Sequence, residues 1–552
     1  MSEQEKQPDN QTTQPVKKKK TCRKILCVGS AVIFVPVLGL VTALSFDSGQ
    51  RAIIQLADKM LDSLSIEQVS GGLQDGLVLE NLRFQTTGVD VALPKTRLQL
   101  NLARLLSGDI IVDDLSLTRP KIAIDTSVMP PSEEKETESG PMEKIHLPVS
   151  VQVKNVAITD FDMKLDQSNI TFSSFQSAVS LNNESGLTLE PTTLSDVLFS
   201  TVSQTQPNPP QSEQKEPAKP IDWAQIEQTL TPAFLGNLNA VNLPFDMHIP
   251  SFLGTNWQYQ SLNEKGEETQ KISVPKVELQ ADATDHLVKL QKLEIDSSLG
   301  TLSSKGQLQL NEDFPVDLTL KSDLQAFKSK DKTILPASKV DLNLSGSLKK
   351  TTALSLTTQG VLDATLTGDV KLAEDKMPLN LQLKAKKGQY AFADSLAPLK
   401  INDVDIKLTG DLLNYHAEVV GGVEGMDHIP HTHIDLNADG KLYEVTLNEL
   451  KLAALDGTAR LTGSSNWKDG AQWDVTADLN KMNIRPYVPA MPAVLSGKVS
   501  SQGSADSNHW KVDVPTVDLT GSLSSRPLSL KGSVFLSNET LLNIPDLLLN
   551  YG

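Results

Sequence analysis

The sequence is poor in cysteine. Only Cys22 and Cys27 occur in 552 residues, both near the N-terminus. The remaining chain therefore has no disulfide, no cysteine zinc site and no cysteine nucleophile. Large rings are scarce too. Fourteen Phe, 6 Tyr and 5 Trp make aromatics 5% of the chain, so the 39% apolar content is mostly aliphatic. Basic residues are outnumbered, 51 against 68 acidic ones. The net charge of -17 argues against a nucleic-acid partner, which needs a basic footprint. Catalytic signatures are missing: there is no G-x-S-x-G, H-E-x-x-H, Walker loop or G-x-G-x-x-G opening a helix. No enzyme activity, catalytic residue, cofactor or metal is expected.

Long apolar runs are absent with one exception. Residues 25–46 carry no charge over 22 positions, long enough for a helix to span a bilayer. Residues 1–24 before them hold seven Lys and Arg against three acids, a charge of +4 that leaves -21 for the rest. A basic flank stays in the cytoplasm, so the chain reads as a single-pass signal anchor with its bulk exported. A cleaved signal peptide is the alternative, but its apolar region is normally shorter. Residues 48–64 then show helical spacing of Ile53, Leu56, Met60, Leu61 and Leu64, an amphipathic helix.

From residue 65 the apolar period becomes two. Leu318 and Leu320, Leu342 and Leu344, Leu381 and Leu383, Ile406 and Leu408, and Val517 and Leu519 each alternate with polar residues. Such alternation predicts half-solvated, antiparallel strands. Short helices are expected near 102–106 and from Asp222 to Leu235. Two Pro-rich stretches, 129–145 and 205–220, break the pattern and read as exposed loops. The resulting division is a tail 1–24, an anchor 25–46, a first β module 47–128, loop 129–145, β module 146–204, loop 205–220, a short helical segment 221–240, and extended β repeats 241–552.

A loose motif, apolar-x-apolar-Ser/Thr-Gly-x-apolar, recurs around Gly346, Gly410 and Gly521, with partial copies at Gly306, Gly368, Gly463, Gly497 and Gly532. Glycine within a strand suggests a bulge or bend that curls the sheet. With so few rings to fill closed cores, the expected fold is mainly β: one long curled antiparallel sheet forming a groove. A row of β-sandwiches is the alternative. Roughly 30 strands at ~4.8 Å spacing would make a sheet about 140 Å long. The ten aliphatic residues named above are the expected groove lining. Two other clusters read as structural. Gly71, Gly72 and Gly76 precede strand pattern, and Asp427, His428, His431 and His433 read as a polar turn rather than a zinc site.

Several short stretches then occur in a particular order: Val69-Ser70-Gly71-Gly72-Leu73, Gly76-Leu77-Val78-Leu79-Glu80-Asn81-Leu82, Leu105-Leu106-Ser107-Gly108-Asp109-Ile110 and Pro120-Lys121-Ile122-Ala123-Ile124. This order, with Trp467, Trp473 and the Trp510–Pro515 stretch further on, resembles the AsmA-like superfamily and, within it, the N-terminal part of the TamB family. The resemblance implies a β-taco groove tethered in the inner membrane of a Gram-negative bacterium and reaching into the periplasm. It further implies phospholipid transport toward the outer membrane and a part in outer-membrane protein and autotransporter assembly. Its implied partners are the inner membrane, phospholipid in the groove and a TamA-like outer-membrane β-barrel. That barrel is met through a C-terminal region that members of the family carry beyond the stretch seen here. A scaffold working by β-augmentation, without lipid transport, is the rival reading.

Overall fold

The computed structural model describes residues 63–105, 107–128, 144–202, 221–263, 265–329, 332–360, 362–390, 397–425, 429–487, 492–506, 508–539 and 542–552. The expected anchor at 25–46 lies outside them, as does nearly all of the expected helix at 48–64. Its last residue, Leu64, belongs to a short strand, Leu64–Ser65. Among the described residues no helix is long and apolar enough to cross a membrane.

Alternating sequence becomes β-sheet on a large scale. Thirty strands join into a single sheet, and a separate two-stranded hairpin, Phe327–Ser329 with Lys332–Leu335, projects from one turn. From the Met247–Leu262 strand to the Asn543–Tyr551 strand the sheet is a meander, each strand antiparallel to the one before it. Short antiparallel connections need only hairpin turns.

Two joins depart from the expected antiparallel pattern. The Ser150–Leu165 strand runs parallel to Asp109–Thr118 and Lys121–Ile124. The Met247–Leu262 strand runs parallel to Gly186–Leu189, Thr192–Ser195 and Leu198–Val202. A parallel join requires the chain to return to its starting end, which takes a dozen or more residues. The two Pro-rich stretches lie in those connections. Their length follows from the topology.

Short strands also share positions. Leu64–Ser65 with Gln68–Ser70, Asp109–Thr118 with Lys121–Ile124, and the trio before Met247 each occupy one rung. The thirty strands therefore stack as twenty-six rungs. At ~4.8 Å per rung the sheet extends about 120 Å in its hydrogen-bonding direction, shorter than strand number alone suggests.

Among the described residues the only other sheet is the two-stranded hairpin, and there is little closed core. Among the described residues thirteen hydrophobic side chains are buried, five of them alanines. The tightest cluster sits at the N-terminal end, where Leu73 and Leu77 bury against Val69, Leu79, Leu98, Leu100 and Leu102. Gly71 and Gly76 make the turn that inserts Leu73 there, so the glycine run is structural. Helix α1 (Leu102–Leu105) supplies Leu102 to the same cluster. A β-sandwich would bury its inner faces; here the aliphatic face is only half-buried.

Four of the eight glycines of the loose repeat lie beside β-bulges; Gly346, Gly368, Gly410 and Gly521 do not. Leu290, Leu447, Leu479 and Val517 are paired with Gly306, Gly463, Gly497 and Gly532, and each adjoins a register shift in its own strand. The bulge thus lies beside the glycine, on the preceding strand, and not within the glycine-bearing strand. A bulge bends its strand and increases local twist.

Candidate functional site

The face that the register assembles is an apolar ribbon. In an antiparallel pair, directly opposed residues share a face with their Cβ atoms about 5 Å apart. Leu320 opposes Leu342, which opposes Leu356, then Leu366, Leu383 and Ile406. The row continues through Val419, Leu436, Leu450, Leu461, Ala477 and Val499 to Val517. Every member over these thirteen rungs is aliphatic. Toward the N-terminus Ser304, Leu293, Leu279 and Phe252 extend the row. Ser304 donates its hydroxyl hydrogen bond to the Thr319 carbonyl, 3.1 Å away.

The ribbon also crosses the parallel joins. Leu77, Leu98, Leu115 and Val156 lead to Ser177 and Thr192, then to Phe252. Ser177 and Thr192 are buried, and their hydroxyl oxygens lie 2.7 Å apart, so each polar group has a partner. An adjacent row through Leu117, Ile158, Phe175, Leu194, Gly254 and Val277 keeps the face apolar there.

All ten residues expected to line a groove fall on this face. Leu320, Leu342, Leu383, Ile406 and Val517 stand in the main row. Leu318, Leu344, Leu381 and Leu408 stand in the neighbouring row, opposed as Leu318–Leu344 and Leu381–Leu408. Leu519 lies beyond Val517 on the same strand face and is 9% exposed. Sequence reasoning missed Leu356, Leu366, Val419, Leu436, Leu450, Leu461 and Val499. Part of the cause is the bulges. Leu447 and Leu450 share the face although three residues apart, because the register shifts between them. A strict period of two cannot register that.

Phe252 and Phe175 stand in the rows, but two other rings on this face lie over glycines. Trp473 lies so close over Gly503, its cross-strand partner, that a Cβ there would approach the ring to 2.2 Å. Tyr415 covers Gly440 in the same way. The rings lie flat against the wall.

The opposite face is polar and carries cross-strand ion pairs. Lys407–Glu418, Lys531–Asp518 and Arg97–Asp114 each approach to 3.2 Å. Glu449 takes Arg460 at 2.7 Å and Lys451 at 2.8 Å. Its carboxyl is held below the usual range by the Lys451 hydrogen bond first. Glu278 sits between Lys276, at 2.6 Å, and Lys292, and their hydrogen bonds lower its pKa to about 2. Exposed pairs contribute only about 0–1 kcal/mol each. Their clearer effect is to keep this face in water while the other stays apolar.

The histidines stand outside the ribbon. His431 Nδ1 lies 3.3 Å from a Glu424 oxygen, and both His431 and His433 are exposed. Asp427 and His428 lie outside the described residues.

Residues 36–552 match the family model described as TamB, N-terminal domain. The chain belongs to the TamB N-terminal domain family. It is similar to the translocation and assembly module subunit TamB of Haemophilus influenzae, at 54% identity over 556 residues, covering 100% of this chain and 43% of that protein. It is also similar to an uncharacterized protein of Buchnera aphidicola, at 20% identity over 550 residues, covering 95% of this chain and 51% of that protein. The chain spans about half the length, or less, of these curated relatives. No solved structure matches it. In TamB family terms, the matched region contains the whole apolar ribbon, from Leu77 to Val517.

Proposed function

We propose that this TamB-family chain forms the groove segment of a periplasmic lipid conduit. Residues 25–46 anchor it in the inner membrane, and phospholipid acyl chains travel along the apolar ribbon toward the outer membrane. Through that delivery it supports outer-membrane protein and autotransporter assembly with a TamA-like β-barrel partner. The carrying observation is the aliphatic row from Leu320 to Val517 on a face that stays only half-buried. Exposing roughly 30 CH₂ groups of a two-tailed phospholipid to water costs on the order of 24 kcal/mol. A continuous aliphatic wall removes much of that cost at every rung, and it does so without a catalytic group.

Strand-edge scaffolding has less to work with here. Strands inside the sheet are hydrogen-bonded on both sides, so open edges are confined to the sheet's ends.

Replacing Leu342, Leu356 and Leu383 together by Asp tests the reading. The expected result is loss of co-purifying phospholipid, with strand content retained by circular dichroism. Unchanged lipid in a folded triple variant would contradict it.

A further inference from the structure

The strands run across the groove, so their turns form two long rims. One rim contains the turns near residues 285, 310, 372–376, 443 and 468; the other contains those near 298, 325, 360, 455 and 524. The first rim carries an additional segment. After the second Pro-rich stretch, helix α2 (Trp223–Leu230) and the following residues, to 246, run along these turns.

The contacts advance steadily. Trp223 Nε1 donates to the Lys468 carbonyl at 3.0 Å, and its ring packs edge-on against Tyr443. Lys376 N donates to Thr231 O at 2.7 Å, Ala233 N to Asp375 Oδ1 at 3.2 Å, and Leu235 N to Leu372 O at 2.9 Å. Val241 N donates to Leu310 O at 2.9 Å, and the Val241 carbonyl meets His286 Nδ1 at 3.0 Å. Leu243 N then donates to Asp285 O.

From the turn at 285 to the turn at 468 the sheet advances twelve rungs, about 58 Å. The eight residues of α2 at 1.5 Å each, and the thirteen after it at about 3.4 Å, cover a similar length. Ile226, Leu230, Leu235 and Leu238 are half-buried along it. Between those contacts the same rim buries Phe314, Val370 and Leu413.

The other rim has no such strap among the described residues; its one insert, the Phe327–Ser329 and Lys332–Leu335 hairpin, pairs with itself. Its backbone hydrogen bonds link neighbouring strands only, such as Gln325 N to Leu299 O, Asn483 N to Leu455 O and Ser524 N to Pro492 O.

We propose that residues 221–246 are a fixed seal along one rim of the groove, and that acyl chains enter and leave laterally across the opposite rim. The proposal rests on the lipid-conduit reading and adds its sidedness. Extended main-chain contacts at many successive turns suit a permanent wall, because release would break them all.

The test places a photo-crosslinking side chain, in the full-length protein in cells, at Leu372 or Leu412 on the sealed rim and at Leu324 or Leu399 on the open rim. Phospholipid adducts are expected at Leu324 and Leu399, at least ten-fold above those at Leu372 and Leu412. Equal or greater yield on the sealed rim overturns the proposal. Absence of adducts at all four positions overturns lipid carriage itself, and the proposal with it. A second arm pins the strap through the paired substitutions Ala233→Cys and Asp375→Cys. Co-purified lipid is expected to stay within two-fold of the unmodified protein, with and without reductant. Loss of lipid on oxidation, restored by reductant, would make the strap a moving gate and overturn the fixed seal.

Discussion

At Gly368 a Cβ would lie 2.0 Å from the Asn380 carbonyl oxygen, and at Gly463 2.1 Å from that of Asp474. Their φ angles, +149° and +152°, are ones that side-chain-bearing residues rarely adopt. Gly368→Val should therefore lower local stability on the order of 2–3 kcal/mol. Hydrogen exchange should show lost protection in the Leu362–Val370 and Leu379–Tyr390 strands. Gly236→Val, which meets nothing within 4 Å, should leave them unchanged. On the polar face Glu278 is lowered from the ordinary 4.5 to about 2 by Lys276 and Lys292. A depressed folded value stabilises above the unfolded one, and that stabilisation is lost as pH falls from about 4.5 toward 2. Protection of the Glu268–Thr284 strand should decline over that window, and Glu278→Gln should flatten the decline.

Among the elements, α2 begins where its sequence dictates. Asp222 caps it, its Oδ1 accepting from Gln225 N at 3.0 Å, and Trp223, Ile226 and Leu230 are the half-buried positions. It ends at Leu230, ahead of Pro232, shorter than the helical spacing alone suggests. Asp222→Ala should cost about 1 kcal/mol of helix stability. The expected readout is faster exchange of α2 amides with the sheet's protection intact; melting of neighbouring strands would show that the strap holds the rim together. The strands were legible as elements because alternation is a direct record of one wet and one apolar face. Their antiparallel pairing was legible for the same reason; the two parallel joins were not, since the strands that make them alternate like the rest. Nor was the path of residues 231–246 legible. Its anchors are mostly main-chain groups meeting turns up to 145 residues away (376 − 231), such as Lys376 N on Thr231 O, which leave no periodic trace.

For the whole molecule, aliphatic content with few rings corresponds to one long sheet with little closed core, and bulges adjoin four of its repeat glycines. The ten expected lining positions share one face because each preserves its period of two within a strand. Residues beyond bulges, such as Leu450, needed the register to be found. The resulting surface is an apolar ribbon, aliphatic at all thirteen rungs from Leu320 to Val517, with cross-strand ion pairs on the other side. If the ribbon holds acyl chains, native mass spectrometry of the detergent-extracted protein will show bound phospholipid that persists on delipidating washes and disappears in the Leu342, Leu356 and Leu383 to Asp variant. A folded protein free of phospholipid, or equal lipid on the charged variant, would contradict it.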